Sequence, residues 1–151
     1  MILRPAARAD EPAILALTER LADFPLPPGR TAREIALADH PIIRAQLAEP
    51  RADVLCVVAE EAGDVIGVIF ANTRRDYFTG ATAAYIEVLA VAEQAAGRGA
   101  ARRLMEAVEQ WARDRGMWRV ELTVFSVNAR ARGFYEHLGY RDEFARYVRE
   151  V

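Results

Sequence analysis

The chain has 151 residues, of which 52% are apolar and 28% charged, with 20 basic against 22 acidic side chains for a formal charge of −2. That balance excludes a disordered or collagen-like chain and fits one domain over residues 1–151. There is no basic excess for nucleic-acid binding, and no apolar run near the ~20 residues a membrane helix needs.

Every basic residue is Arg, because the sequence contains no Lys. Schiff-base chemistry on Lys and a P-loop are therefore both excluded. Cys56 is the single cysteine, which rules out an internal disulfide and suits a reducing cytoplasm. His40 and His137 are too far apart in sequence to make a structural zinc site with Cys56, so no metal is expected. The segment Met1 to Asp10 carries Arg4, Arg8 and Asp10 and no apolar block, so no secretory signal is expected there.

Ile2-Leu3-Arg4 predicts a short first strand. Asp10 is a candidate N-cap for a helix with Pro12 in its first turn and Ile14, Leu15, Leu17 and Leu21 as an apolar stripe. Phe24 to Gly29, rich in proline, is a loop. Thr31 and Glu34 have capping-box spacing, so a second helix starts there, with further helix up to Ala48 and His40 in a loop. Val54 to Glu60 and Val65 to Ala71 are two strands joined by a tight turn at 61–64, with Cys56 as core filling. Arg74 to Thr82 is a polar loop, and Tyr85 to Val91 another strand. Leu104, Val108, Trp111 and Ala112 then recur at helical spacing up to a stop at Gly116. Arg119 to Phe125 is a strand. Asn128 caps a helix through Leu138 that ends at Gly139, and Tyr140 to Val148 is a last strand. The order β-α-α-β-β-β-α-β-α-β describes an α/β fold with a mixed sheet flanked by helices.

The most informative stretch is the turn Ala95 to Ala101, between the strand ending at Val91 and the next helix. Small residues there let backbone N–H groups approach a ligand, and the positive end of the helix favours an anion such as a phosphate. A dinucleotide fingerprint would want a third glycine where Arg102 stands. Gly97-Arg98-Gly99 alone is equally compatible with a structural tight turn.

Two blocks together carry more. Ile86 to Leu104 is a strand, a glycine turn and an apolar helix. Asn128 to Tyr140 reads Asn-Ala-Arg-Ala-Arg-Gly-Phe-Tyr-Glu-His-Leu-Gly-Tyr. The chain resembles the GCN5-related N-acetyltransferase (GNAT) superfamily, whose members show Asn-x-x-Ala-x-x-Phe-Tyr-x-x-x-Gly-Phe/Tyr in the second block. They usually show Gln/Arg-x-x-Gly-x-Gly/Ala in the turn. Keeping the family's spacing puts Ala96 at the Gln/Arg position, Gly99 at the glycine and Ala101 at the last. This chain thus lacks the family's polar side chain at position 96, for which Arg98, Arg102 or Arg103 could substitute.

The resemblance implies acetyl-CoA as cosubstrate and acetyl transfer to a primary amine of a small molecule or peptide, by direct attack in a ternary complex. It places the pantetheine beside Leu89 and Val91, and the pyrophosphate in the turn of Ala96, Gly97, Arg98, Gly99, Ala100 and Ala101. Asn128, Ala131 and Tyr135 would flank the cofactor's arm. A homodimer is common in the family. The same fold also serves non-catalytic acyl-CoA-binding modules, which remains the alternative reading.

Acyl transfer to an amine needs a base, because an ammonium with pKa near 10 must lose a proton before attack; it also needs an oxyanion donor and an acid for the departing thiolate. Glu87 interrupts Ile86 and Val88 on a strand and so points to the opposite face from both, which makes it the candidate base, directly or through water. Glu121 is a second choice. The resemblance makes Tyr135 the candidate acid and the Leu89 amide the oxyanion donor. The alternatives are that Glu87 orients a substrate ammonium or pairs with an Arg, and that Tyr135 is a core aromatic bonded to a carbonyl. Acceptor selectivity is expected in the Phe24–Arg30 loop, the second helix and the 73–82 loop, where Asp23, Asp39 and Asp76 could attract a cationic amine.

Overall fold

The computed structural model describes residues 1–151. Five strands form one sheet in the spatial order β1-β2-β3-β4-β5: β1 (Ile2–Pro5), β2 (Val54–Glu61), β3 (Asp64–Arg75), β4 (Thr82–Val91) and β5 (Val120–Leu122). The first four are paired antiparallel, and β4 with β5 is parallel. Five helices accompany them: α1 (Glu11–Thr18), α2 (Ala32–Leu37), α3 (His40–Ala48), α4 (Ala100–Asp114) and α5 (Ala129–His137). Parallel pairing of β4 and β5 needs a long crossover, and α4 supplies it.

Local chemistry accounts for most boundaries. The Thr31 hydroxyl accepts the Glu34 N–H and the Glu34 carboxylate reaches back to Thr31, completing the expected capping box of α2. Asn128 Oδ1 accepts the Ala131 N–H at 3.1 Å and caps α5 as expected. The tight turn between β2 and β3 has Ala62 and Gly63 both at positive φ, the conformation that matches hairpin twist. The core packs Ile14 of α1, Ile43 of α3 and Leu104, Met105 and Val108 of α4 against Val58, Val68, Ile69 and Val88 of the sheet.

The structure corrects several expectations. Residues 141–151 form no strand, so β5 keeps an open outer edge. With only three residues in β5 there is little ladder to extend. The charged start of the tail is held by side chains instead, Glu143 by Arg119 at 2.8 Å and Asp142 by Arg132 at 3.2 Å, while Phe144 stacks on Phe78. Asp10 stands at the N-cap of α1 but makes no cap hydrogen bond. Its carboxylate turns back to the Ala7 N–H and the Arg4 guanidinium, which hold it below its ordinary pKa. His40 is not in a loop: it opens α3 ahead of Pro41, with Nε2 2.8 Å from the Thr18 hydroxyl.

One irregularity was invisible in the sequence. On the β3–β4 ladder Phe70 pairs with Val88 and Ala71 with Ile86, so Glu87 is the extra residue of a bulge. On its other edge β4 pairs with β5 only from Ala84 to Ile86. From Glu87 to Val91 that edge has no strand partner, and its outward backbone groups are available to a ligand.

Candidate active site

A single cleft of about 920 Å³ runs from the end of α1 and α2, across the unpaired half of β4, to the start of α4 and one side of α5. The sequence-predicted residues Glu87, Leu89, Val91, Ala96, Gly97, Gly99, Ala100, Ala101, Asn128, Ala131 and Tyr135 all line it.

The turn before α4 is built to expose backbone donors. Gly97 and Gly99 have φ of +74° and +83°, and an added Cβ at either would meet open space, so glycine is required by backbone conformation and not by crowding. Gly99 is the N-cap of α4 and offers no side-chain cap. The N–H groups of Gly97, Gly99, Ala100, Ala101 and Arg102 find no acceptor within the chain. Unpaired donors at the positive end of a 15-residue helix suit an anion.

Of the arginines considered as substitutes for the missing side chain at position 96, only Arg102 lines the cleft. Arg98 is drawn to Glu61 at 2.5 Å and its N–H goes to the Ala95 carbonyl, while Arg103 donates to the Met1 carbonyl at 2.8 Å.

At the middle of the cleft Glu87 is 18% exposed at its side chain. Its Oε1 accepts both Asn72 Nδ2 at 2.9 Å and Arg74 Nη2, and Arg74 also lies over the Tyr85 ring, 3.4 Å from the centroid. These contacts fix the carboxylate and leave Oε2 without a partner. The pairing of Glu87 with an Arg, an alternative from sequence, therefore occurs, but it occupies one oxygen only. Glu121 is excluded from the cleft and bound to Arg119.

Tyr135 sits between Phe134 and Tyr140, with ring centroids 5.3 and 6.1 Å away. Its hydroxyl has no hydrogen-bond partner, unlike that of Tyr140, which donates to Glu109 at 3.1 Å. The tyrosine of the pair that is tied to structure is thus Tyr140, and burial pushes the Tyr135 phenol up to about 12. A phenol with that pKa stays protonated and keeps a proton to donate.

The other end of the cleft is lined by Arg20, Asp23, Phe24, Glu34 and Asp39, with Phe24 packed on Phe125 at 5.5 Å. The Phe24–Arg30 loop and α2 thus border the cleft as expected. The 73–82 segment does not: residues 73–75 continue β3 and Thr82 opens β4, while between them Asp76 is bound to Arg119 and the loop amides and Phe78 faces the tail. His137, which its helix-terminal position marks as a structural residue from sequence, ends α5 and lines the cleft as well.

Sheet, unpaired strand and glycine turn together bring free backbone donors and a fixed carboxylate into one cleft. The family profile for the acetyltransferase (GNAT) family matches residues 16–140, and the chain belongs to that family. Among solved structures it is similar to a mutant of the BH1408 protein from Bacillus halodurans, with 19% identity, a TM-score of 0.82 and coverage of 100% and 99% of the two chains. The aminoglycoside antibiotic 6'-N-acetyltransferase of Acinetobacter haemolyticus is 18% identical at a TM-score of 0.74, covering 100% and 99%. A further aminoglycoside acetyltransferase, solved with a bisubstrate analog of coenzyme A and acetylneamine, is 21% identical at 0.72, covering 99% and 97%. Identities this low speak for the fold. No curated protein sequence matches the chain.

Proposed function

We propose that this protein is an acetyl-CoA-dependent N-acetyltransferase acting on a primary amine of a small molecule or peptide, by direct attack within a ternary complex. The observation that carries the reading is the set of acceptor-free amides of Gly97, Gly99, Ala100, Ala101 and Arg102, opening onto the same cleft as Glu87 and Tyr135. These amides suit the cosubstrate's diphosphate, with Arg102 beside them and Ala96 contributing no side chain. The unpaired edge of β4 at Leu89 and Val91 suits the amide groups of pantetheine, flanked by Asn128 and Ala131. Acetyl-CoA supplies the acetyl thioester.

The residues of the chain do the rest. Glu87, fixed through Oε1, presents Oε2 to the amine and takes a proton from it, directly or through one water. The Leu89 amide donates to the oxyanion as it develops. Tyr135 gives its proton to the departing thiolate, a role for which a phenol without other partners is suited. A buried, unpaired Cys56, whose thiol burial pushes up to about 12, accords with a reducing cytoplasm.

The test is thiol release from acetyl-CoA in the presence of 1,3-diaminopropane, neamine and an alanyl peptide, alongside thermal melting with coenzyme A. Release with at least one amine, and a raised melting temperature, are expected. Melting stabilised by coenzyme A without release from any amine would return the chain to the acyl-CoA-binding modules. Glu87→Gln should slow turnover about a hundredfold and leave coenzyme A affinity unchanged.

A further inference from the structure

Four carboxylates line the cleft: Asp23, Glu34, Asp39 and Glu87. Three of them face an arginine, Asp23 with Arg20 at 2.9 Å, Glu34 with Arg30 at 3.2 Å and Glu87 with Arg74. Asp39 has no ion pair, and although it stands at the N-cap of α3 its backbone is helical there (φ −94°, ψ −2°) and its side chain caps nothing. Around it the other pairs cancel, so that end of the cleft carries one uncompensated negative charge. Two buried polar atoms nearby also lack partners, Arg20 Nε and Asn72 Oδ1, the latter on the side chain that holds Glu87. Polar groups left unsatisfied around a cleft suit a polar ligand.

The charged groups that share the cleft with Asp39 are Glu87 of β4, which pairs with Arg74; Arg20 and Asp23 from the segment after α1; and Glu34 and Arg30 at the start of α2, with Arg102, Arg130 and His137 at α4 and α5. His40, next in sequence, is turned to Thr18. Burial first, and repulsion from Glu87 second, push the Asp39 carboxyl up to about 6 from an ordinary 3.8.

Proton stoichiometry gives such a group a role. In passing from ammonium to amide the acceptor nitrogen sheds two protons, one before attack and one as the C–N bond forms, while the thiolate takes up one. A single carboxylate can hold only one of the two. Resting on the transferase reading above, we propose that Asp39 is a second catalytic carboxylate: it receives the acceptor's ammonium beside Glu87 and takes the first proton, leaving the second to Glu87. An N–H bond breaks and an O–H bond forms at Asp39, the freed electron pair on nitrogen attacks the acetyl carbon, and Glu87 accepts the proton shed as the C–N bond forms. The carbon–sulfur bond breaks with its electron pair leaving on the thiolate. Tyr135 protonates the thiolate and is restored by one of the stored protons, and the other leaves to solvent. The acceptor class that follows is a primary amine that arrives protonated.

The experiment is the pH dependence of kcat/KM for acetyl-CoA with 1,3-diaminopropane, neamine and an alanyl peptide, in wild type, Asp39→Asn, Asp39→Glu and Glu87→Gln. Coenzyme A-induced thermal shifts confirm that each variant is folded. Wild type should show an acidic limb centred near 6. Asp39→Asn should lose that limb and about a hundredfold in kcat/KM at pH 7 with coenzyme A affinity unchanged, and should recover towards pH 10, where the amine is already neutral. Asp39→Glu should keep the limb. An Asp39→Asn enzyme with the wild-type profile, beside a slowed Glu87→Gln, would overturn the role of Asp39 and leave the transferase reading standing. Absence of thiol release by wild type with every one of these amines would overturn both.

Discussion

The same chemical change, glycine to alanine, should have opposite effects at two positions of this chain. Gly99 precedes α4 at φ +83°, and Gly133 lies within α5 in helical conformation. An alanine Cβ meets no neighbouring atom within 4 Å at either site, so packing does not enter and the backbone alone decides the sign. At Gly99 a left-handed L-residue costs about 1–2 kcal/mol, partly offset by the ~0.4–1 kcal/mol gained because alanine restricts the unfolded chain. Gly99→Ala should therefore destabilise by about 1 kcal/mol. At Gly133 alanine gains the helix-interior preference of about 0.8–1 kcal/mol with no strain. The gap of about 2 kcal/mol corresponds to roughly 4–8 °C between the two melting temperatures for a domain of this size. Thermal or urea unfolding of both variants measures it. Coenzyme A supplies a second readout, because moving the Gly99 and Ala100 amides should weaken its stabilising effect in Gly99→Ala and leave it intact in Gly133→Ala. Two variants shifting in the same direction would refute the backbone argument.

Asn128→Ala removes the cap of α5 and should cost about 1 kcal/mol in urea unfolding, with thiol release reduced if, as proposed, the helix start flanks acetyl-CoA. Tyr135→Phe removes a hydroxyl with no partner, so unfolding should change by less than about 0.5 kcal/mol while acetyl transfer slows. Asp39 binds a proton more tightly in the folded chain than its ordinary 3.8 would allow, so the stability it confers is full below pH 3.8 and lost as pH rises through about 6. Relative to wild type, Asp39→Asn should thus gain stability between pH 4 and pH 7. A shift of roughly two pH units would be worth about 3 kcal/mol, which partial exposure reduces to about 1–2 kcal/mol. Urea unfolding of both proteins across that range measures the difference, and a gap that does not change with pH would contradict it.

Much of this protein was readable from local chemistry. The capping box at Thr31 and Glu34, the Asn128 cap and the glycine turn each depend on residues within a few positions of one another, and each formed as expected. The last strand failed because its formation depended on a partner: with β5 only three residues long, Glu143, Asp142 and Phe144 find side chains elsewhere. Asp10 makes no cap bond and His40 is helical for a related reason. Arg4 competes for the carboxylate of the first, and Thr18 holds the ring of the second, both across distances that periodicity does not register.

Sequence alone determined the succession of strands and helices from β2 to α5 and the donor-rich turn, because helix caps, hairpins and left-handed glycines are encoded within one or two turns of chain. Only the tertiary structure decided that β4 bulges at Glu87 and parts from β5, since register is a property of two strands. It alone also decided which charges remain free. The arginines are spread along the chain, and folding assigns three of them to Asp23, Glu34 and Glu87 while bringing none to Asp39.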